Sequence, residues 1–197
     1  MLSRDISRNT SFPGYVDHVT VLIGITVGGK AVGGVIHQPY TTPTDTVGRT
    51  IWGLKGLGFR GVNITPGPLK QGKGLHIAAS KSHYTDLVDQ TVKALNPAHL
   101  LRGGGCGNKI LMVLEGKVDA YVFPSNGTKK WDTCAGEAIV EAAGGMLTDI
   151  HGAQIDYTYV PGKYKNETGL LVTMDRELHK DIVSKVPENV RAAFPRL

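Results

Sequence analysis

The chain has 197 residues, 41% of them hydrophobic and 20% charged, with a formal net charge of +5. That is the composition of a soluble globular chain, and it excludes disordered and fibrous classes. Two cysteines, Cys106 and Cys134, exclude a disulfide scaffold and form no C-x-x-C zinc pattern. No run of about 18 apolar residues is present, so no membrane span and no membrane partner are expected. The N-terminus "MLSRDISRNTSFPGY" has no apolar signal core, which with the sparse cysteines points to a reduced, cytoplasmic setting. The positive charge favours anionic partners only weakly. Its densest clusters, Lys129-Lys130 and the pair Lys163 and Lys165, are short. The sequence shows no basic stripe or aromatic platform, so nucleic acid is not an expected partner.

In chain order, "VTVLIGITV" (19–27) is a continuous β-branched run and reads as a buried strand. Gly28-Gly29 signals a two-residue hairpin into a second strand over 30–39. Segments 48–56 and 58–64 read as two more strands, so the early half is an antiparallel meander. "TPGPLKQGKG" (65–74) is a Pro/Gly-rich linker and a candidate domain boundary. Beyond it, 75–80 reads as a strand. Helical spacing of Leu87, Val88, Val92 and Leu95 predicts a helix over 82–96, stopped by Pro97. Segment 108–116 is an apolar helix, 118–124 a strand, and 133–145 a small-residue helix. Segments 146–150 and 168–174 are strands, and 175–187 is a helix closed by Pro187. Strands alternating with helices make the second half α/β.

Three constellations carry candidate chemistry. In "KKWDTCAGEAIVEAAGG", Asp132 sits before a helix. It is either an N-cap, accepting an N–H of the first turn, or a Mg²⁺ ligand at a helix end that also suits a phosphate. "GGGCGNK" (103–109) is either a flexible turn or a glycine loop exposing N–H groups to a phosphate, with Lys109 as a point charge. It is not a Walker A loop. In "SKSHYTDL" (80–87), at a strand end, Ser80 and Ser82 can donate to a phosphate. His83 is either an ordinary surface residue or a partner for a base.

Together these segments resemble the 3'(2'),5'-bisphosphate nucleotidases of the inositol monophosphatase-like superfamily. The resemblance is most specific in "GCGNKILMVLEGKVDAYVFPSNGTKKWDTCAGEAIVEAAGGMLTDIHG" and extends upstream through "DHVTVLIGITVGGKAVGGVIHQPY" and "GRTIWGLKGLG". It implies an α/β sugar-phosphatase-like fold of alternating helix and sheet layers. A divergent tail (1–14) would precede a remnant of an antiparallel-sheet domain (15–74) and a C-terminal α/β domain (75–197). It implies a Mg²⁺-dependent, Li⁺-sensitive phosphomonoesterase that converts adenosine 3',5'-bisphosphate to AMP and phosphate, with a nucleotide bisphosphate as small-molecule partner. By position, Asp132 matches the family's metal-binding aspartate, and Ser80, His83, Gly105 and Lys109 match nucleotide contacts. A non-catalytic nucleotide-binding remnant and an inositol phosphate phosphatase are the alternatives.

The departures shape the expectation. The family's D-P-x-D-G-T motif, which supplies two metal aspartates and a catalytic Thr, belongs just before "VDHVTVLIGI". "SRNTSFPGY" stands there, and the glutamate-bearing N-terminal helices have no counterpart. The chain therefore resembles about the C-terminal two-thirds of a family member, as a shortened gene product would. Impaired activity follows, because a lone Asp132 is a poor Mg²⁺ site and no catalytic residue is assigned. Gly136 replaces a family Pro, which is expected to loosen the start of its helix. Without covering helices, the early sheet is expected to expose apolar surface and an unpaired edge, and to self-associate.

Overall fold

A computed structural model describes residues 2–6, 16–42, 44 and 47–194. The segment 7–15, where the sequence lacks the expected acidic motif, lies outside the described residues. The early half is a five-stranded antiparallel sheet in sequential order: β1 (Leu2–Ile6), β2 (Val21–Val27), β3 (Lys30–Gln38), β4 (Arg49–Leu54) and β5 (Gly58–Arg60). Gly28 and Gly29 both have positive φ, 55° and 74°, as a type I′ hairpin turn requires. The meander is as the sequence predicts, with two corrections. β1 pairs along β2 from Leu2↔Ile25 to Ile6↔Val21, so the edge of β2 is occupied. The strand expected over 58–64 stops at Arg60, because Gly61 turns the chain away at φ 88°.

The second sheet runs β7-β6-β8-β10-β9. It comprises β6 (His76–Ser80), β7 (His99–Gly103), β8 (Ala120–Phe123), β9 (Met146–Thr148) and β10 (Leu170–Thr173). β6 is parallel to both β7 and β8, whereas β10 is antiparallel to β8 and β9. Strand β7 is not legible in the sequence: it is a short edge strand running directly into the glycine loop. The helices are α1 (Asp86–Leu95), α2 (Cys106–Leu114), α3 (Lys130–Ala142), α4 (Arg176–Lys185) and the short α5 (Glu188–Ala192). The sequence reading ends with the helix closed by Pro187; α5 follows directly because Pro187 also stands at its N-cap.

The layers alternate. α2 and α3 lie between the sheets, with α3 packed on β2, β3 and β4 and α2 on β6, β8 and β10. On the far face of the second sheet, Leu95 of α1 and Ile182 of α4 bury against Ile77, Ala120, Val122 and Leu171. One large apolar cluster draws Leu22, Ile36 and Ile51 of the first sheet together with Leu111, Val140, Tyr121 and Val172, so it crosses the 65–74 linker.

The seating of α3 has a specific cause. Gly24, Gly34 and Gly53 stand directly opposite one another on β2, β3 and β4 and make a row with no side chains. The small residues of α3 lie in that row. A Cβ at Gly24 would sit 2.8 Å from the Cys134 Cβ, one at Gly34 2.7 Å from the Ala135 Cα, and one at Gly53 2.8 Å from the Ile139 Cα. Gly136 is the seventh residue of α3, not part of its first turn, so it does not loosen the helix start. It is the place where α3 meets Ile110 of α2; a Cβ there would overlap the Ile110 δ-methyl and lie 3.2 Å from its Cγ2.

Candidate functional site

The carboxyl ends of β6 and β7 bring Ser80 and Gly103 side by side in parallel register. The buried Ser80 hydroxyl accepts from the backbone N of His83 at 3.1 Å, which fixes the turn after β6. The imidazole of His83 is exposed and pairs through Nδ1 with Ser82 Oγ at 3.0 Å. Beside this turn the glycine loop enters α2. Gly105 is the N-cap, with φ 70° and no side chain to satisfy the first-turn N–H groups. Such an end is disposed to accept an anion.

Lys109, the point charge that the sequence offers to a phosphate, is buried. It is 3% exposed. Its ammonium donates to Gly105 O at 2.7 Å and Gly103 O at 3.4 Å, and lies 4.9 Å from the centre of the Tyr121 ring. The side chain braces the loop from beneath. Burial pushes it down to about 8, opposed by the charges of Cys106 and Asp132, so at neutral pH it remains mostly a cation. Tyr121, whose hydroxyl bonds Cys106, is pushed well above its usual range, chiefly by burial. Cys106 and Tyr121 are thus members of the site that sequence reasoning missed. Their only signal is position: the first residue of α2 and the inward face of β8.

Asp132 is not the N-cap of α3 but its third residue, since Lys129 holds the cap position. Its Oδ2 accepts from the Lys129 backbone N at 2.7 Å, and its own N–H donates to Lys129 O at 2.9 Å. The carboxylate therefore closes the first turn of the helix while its charge reaches Lys109. The chain enters this region through the turn Val16–His18. Burial lowers the His18 imidazole, aided by the charges of Lys109 and Lys81 and opposed by Asp17. His18 is a further neighbour that the sequence did not single out.

Among the described residues, no three His, Cys, Asp or Glu side chains converge as metal ligands. Mg²⁺ wants an octahedron of oxygens, usually drawn from one or two carboxylates, substrate phosphates and water. The described residues therefore hold no preformed multi-ligand centre, and a lone carboxylate such as Asp132 would hold the ion only together with a substrate phosphate. What they do fit is a phosphate: a bare helix start, a glycine loop and a braced cation.

Residues 10–191 match the model of the inositol monophosphatase family. The chain is 47% identical over 186 residues to human 3'(2'),5'-bisphosphate nucleotidase 1, covering 92% of this chain and 58% of that protein. It is 46% identical to the rat protein of the same name, with the same coverage. The chain thus spans 58% of the length of these curated relatives. Among solved structures, a staphylococcal IMPase-II superposes with a TM-score of 0.74 at 17% identity, covering 98% of this chain and 71% of that one. No described helix is long and apolar enough to cross a membrane. The family match over residues 10–191 and these relatives show that the chain belongs to the inositol monophosphatase family.

Proposed function

We propose that this chain is the nucleotide-binding part of a cytoplasmic phosphomonoesterase that removes the 3'-phosphate of adenosine 3',5'-bisphosphate to give AMP and phosphate. The relatives named as bisphosphate nucleotidases support that substrate class. The single observation that carries the reading is the Lys109 ammonium held under the Gly103–Gly105 loop, within reach of the charge of Asp132. In this reading the loop N–H groups and Lys109 take a phosphate, Ser80 adds a hydroxyl, and the exposed His83 contacts the base. Asp132 is the Mg²⁺ ligand that residues 75–197 contribute, and residues 15–74 form the second part of the molecule.

With one protein carboxylate, a Mg²⁺ ion is held largely by the substrate phosphates, and no second group is assigned to activate a water. The sequence carries no D-P-x-D-G-T, so this chain alone binds the nucleotide with little turnover. Calorimetry with adenosine 3',5'-bisphosphate and AMP, beside a phosphate-release assay, tests both halves of the proposal. Binding with slow release is the expected result. Release at the rate of a full-length nucleotidase overturns the impairment, and absence of binding overturns the site. Inositol monophosphate as a competitor distinguishes the inositol phosphatase alternative, which predicts that it displaces the nucleotide.

A further inference from the structure

The two basic clusters in the sequence, Lys129-Lys130 and Lys163 with Lys165, are more than thirty residues apart, and their side chains have no assigned role in the phosphate site. The fold places them together. Lys129 and Lys165 form an antiparallel bridge, and Lys130 N donates to Tyr164 O at 2.7 Å. Asn166 locks the crossing: its buried amide donates to Lys129 O at 3.0 Å and Thr128 Oγ1 at 3.1 Å. Tyr157, at the other end of the strap, is anchored in the interior by its hydroxyl bond to Glu137 at 2.7 Å. The strap between Tyr157 and Asn166 is therefore held at both ends against α3, on Glu137 at one end and before its first turn at the other.

This strap carries rings as well as charges. Trp131 and Tyr164 have ring centres 5.6 Å apart, and Tyr159 lies 6.4 Å beyond Tyr164, each pair tilted by 39°. Tyr159 is 57% exposed. Lys163 and Lys165 are exposed beside it. None of Lys129, Lys130, Lys163 and Lys165 forms an ion pair with a described residue; Lys130 Nζ donates instead to Thr158 O at 3.3 Å. Lysines with no ion pair among the described residues, around a row of partly open aromatic rings, have the chemistry that a single-stranded nucleic acid calls for, with bases stacking on the rings and phosphates lying on the ammonium groups; the exposed Asp156, which the charge of Lys130 reaches, is an acid on the same strap. An anionic membrane fits less well, because Val160, 39% exposed, is the one aliphatic side chain among the exposed large hydrophobics of the strap.

We propose that Trp131, Tyr159 and Tyr164, with Lys130, Lys163 and Lys165, form a binding surface for single-stranded polynucleotide. It is distinct from the phosphate site at Lys109, although Trp131 is the residue next to Asp132. Stacking without a fixed set of hydrogen-bond partners makes the binding tolerant of base sequence and strongly dependent on salt.

The test uses the full chain carrying Trp52→Phe, so that Trp131 is the remaining tryptophan. A short oligouridylate is titrated at low salt, following quenching of Trp131 and, with a fluorescein-labelled strand, anisotropy. Saturable quenching is expected. Tyr159→Ala is expected to weaken binding about tenfold, and Lys163→Gln with Lys165→Gln to lower the salt slope by about 1.4. Adenosine 3',5'-bisphosphate binding is expected to survive Tyr159→Ala, and oligonucleotide binding to survive Lys109→Met, which separates failure here from failure at the phosphate site. Melting curves confirm that each variant is folded. Four results overturn the proposal: no binding at low salt, Tyr159→Ala binding as tightly as the parent, inorganic polyphosphate displacing the strand with equal potency, or phosphatidylserine vesicles being preferred to it.

Discussion

Gly34 of β3 faces Ala135 of α3 so closely that a Cβ at position 34 would overlap the Ala135 carbonyl oxygen and lie 2.7 Å from its Cα. Both groups on the helix side are backbone and cannot swing away, so Gly34→Ala must push α3 off the sheet. Overpacking of this kind costs about 1–3 kcal/mol, and here it also displaces the helix that carries Asp132. A lower urea midpoint is expected, with weaker nucleotide binding alongside it. An unchanged midpoint would show that α3 is not seated on the glycine row.

Removing the braced cation tests the phosphate site. Lys109→Met keeps the length of the side chain and its packing on Tyr121 while deleting the charge and the bonds to Gly103 and Gly105. At least a tenfold loss of affinity for adenosine 3',5'-bisphosphate is expected, since a charge-assisted bond from Lys109 to the phosphate would contribute about 1.5–3 kcal/mol. Stability changes little, because the variant also removes the cost of burying an ammonium. Calorimetry and a thermal melt on the same sample check both statements.

Asp132 serves the helix and, in the proposed site, a metal, and one substitution divides the two roles. Asp132→Asn keeps an acceptor for the Lys129 N–H but removes the negative charge. Stability is expected to fall by less than about 1 kcal/mol, whereas any gain in nucleotide affinity on adding Mg²⁺ is lost. A Mg²⁺ response equal to that of the parent chain would remove Asp132 from the metal reading.

Two buried groups give stability opposite pH dependences. His179, between Thr148 at 2.8 Å and Thr173 at 3.0 Å, is lowered to about 4 by burial. Its unfolded value is about 6.5, so the unfolded chain binds the extra proton in between, and stability is lost as the pH falls from 6.5 towards 4. Glu137 is raised to about 7 by burial, against the opposing Tyr157 hydroxyl and the Lys55 charge. The folded chain holds its proton above the unfolded value near 4.5, so stability is lost as the pH rises from there to 7. Between 4.5 and 6.5 the two slopes, each at most about 1.4 kcal/mol per pH unit, oppose each other. His179→Gln is expected to leave a chain that becomes more stable towards pH 4.5, and Glu137→Gln one that becomes less stable. Urea midpoints across this range decide, and parallel curves would refute the assignment.

The outer face of the first sheet predicts association. Ile25 is 46% exposed, Trp52 42% and Val27 66%. Register places Ile23, Val35 and Trp52 in one row across β2, β3 and β4. An apolar face of this kind favours pairing with a second copy. Light scattering at rising concentration is expected to show a dimer that Ile25→Lys with Trp52→Arg reverts to monomer. A monodisperse parent monomer at high concentration would remove this prediction.

The sequence by itself determined the local chemistry. β-branched runs and glycine turns specify the meander, apolar spacing specifies α1, and the glycine loop and the acid at a small-residue helix mark the proposed phosphate end. These are signals of short range, carried by side-chain period and backbone freedom. Only the tertiary structure decided what those elements meet. The five-residue β7 becomes a strand because β6 offers it a parallel edge. Lys109 turns inward because its loop folds back over it, and Asp132 acts in the first turn because Lys129 takes the cap. Gly24, Gly34 and Gly53 are spread over thirty positions and form one groove only when three strands align. Lys129-Lys130 and Lys163 with Lys165 look like scattered charges until a bridge joins them beside three rings. Packing between distant segments is set by contacts that a single stretch of sequence does not contain, which is why the candidate residues could be named from sequence but their arrangement could not.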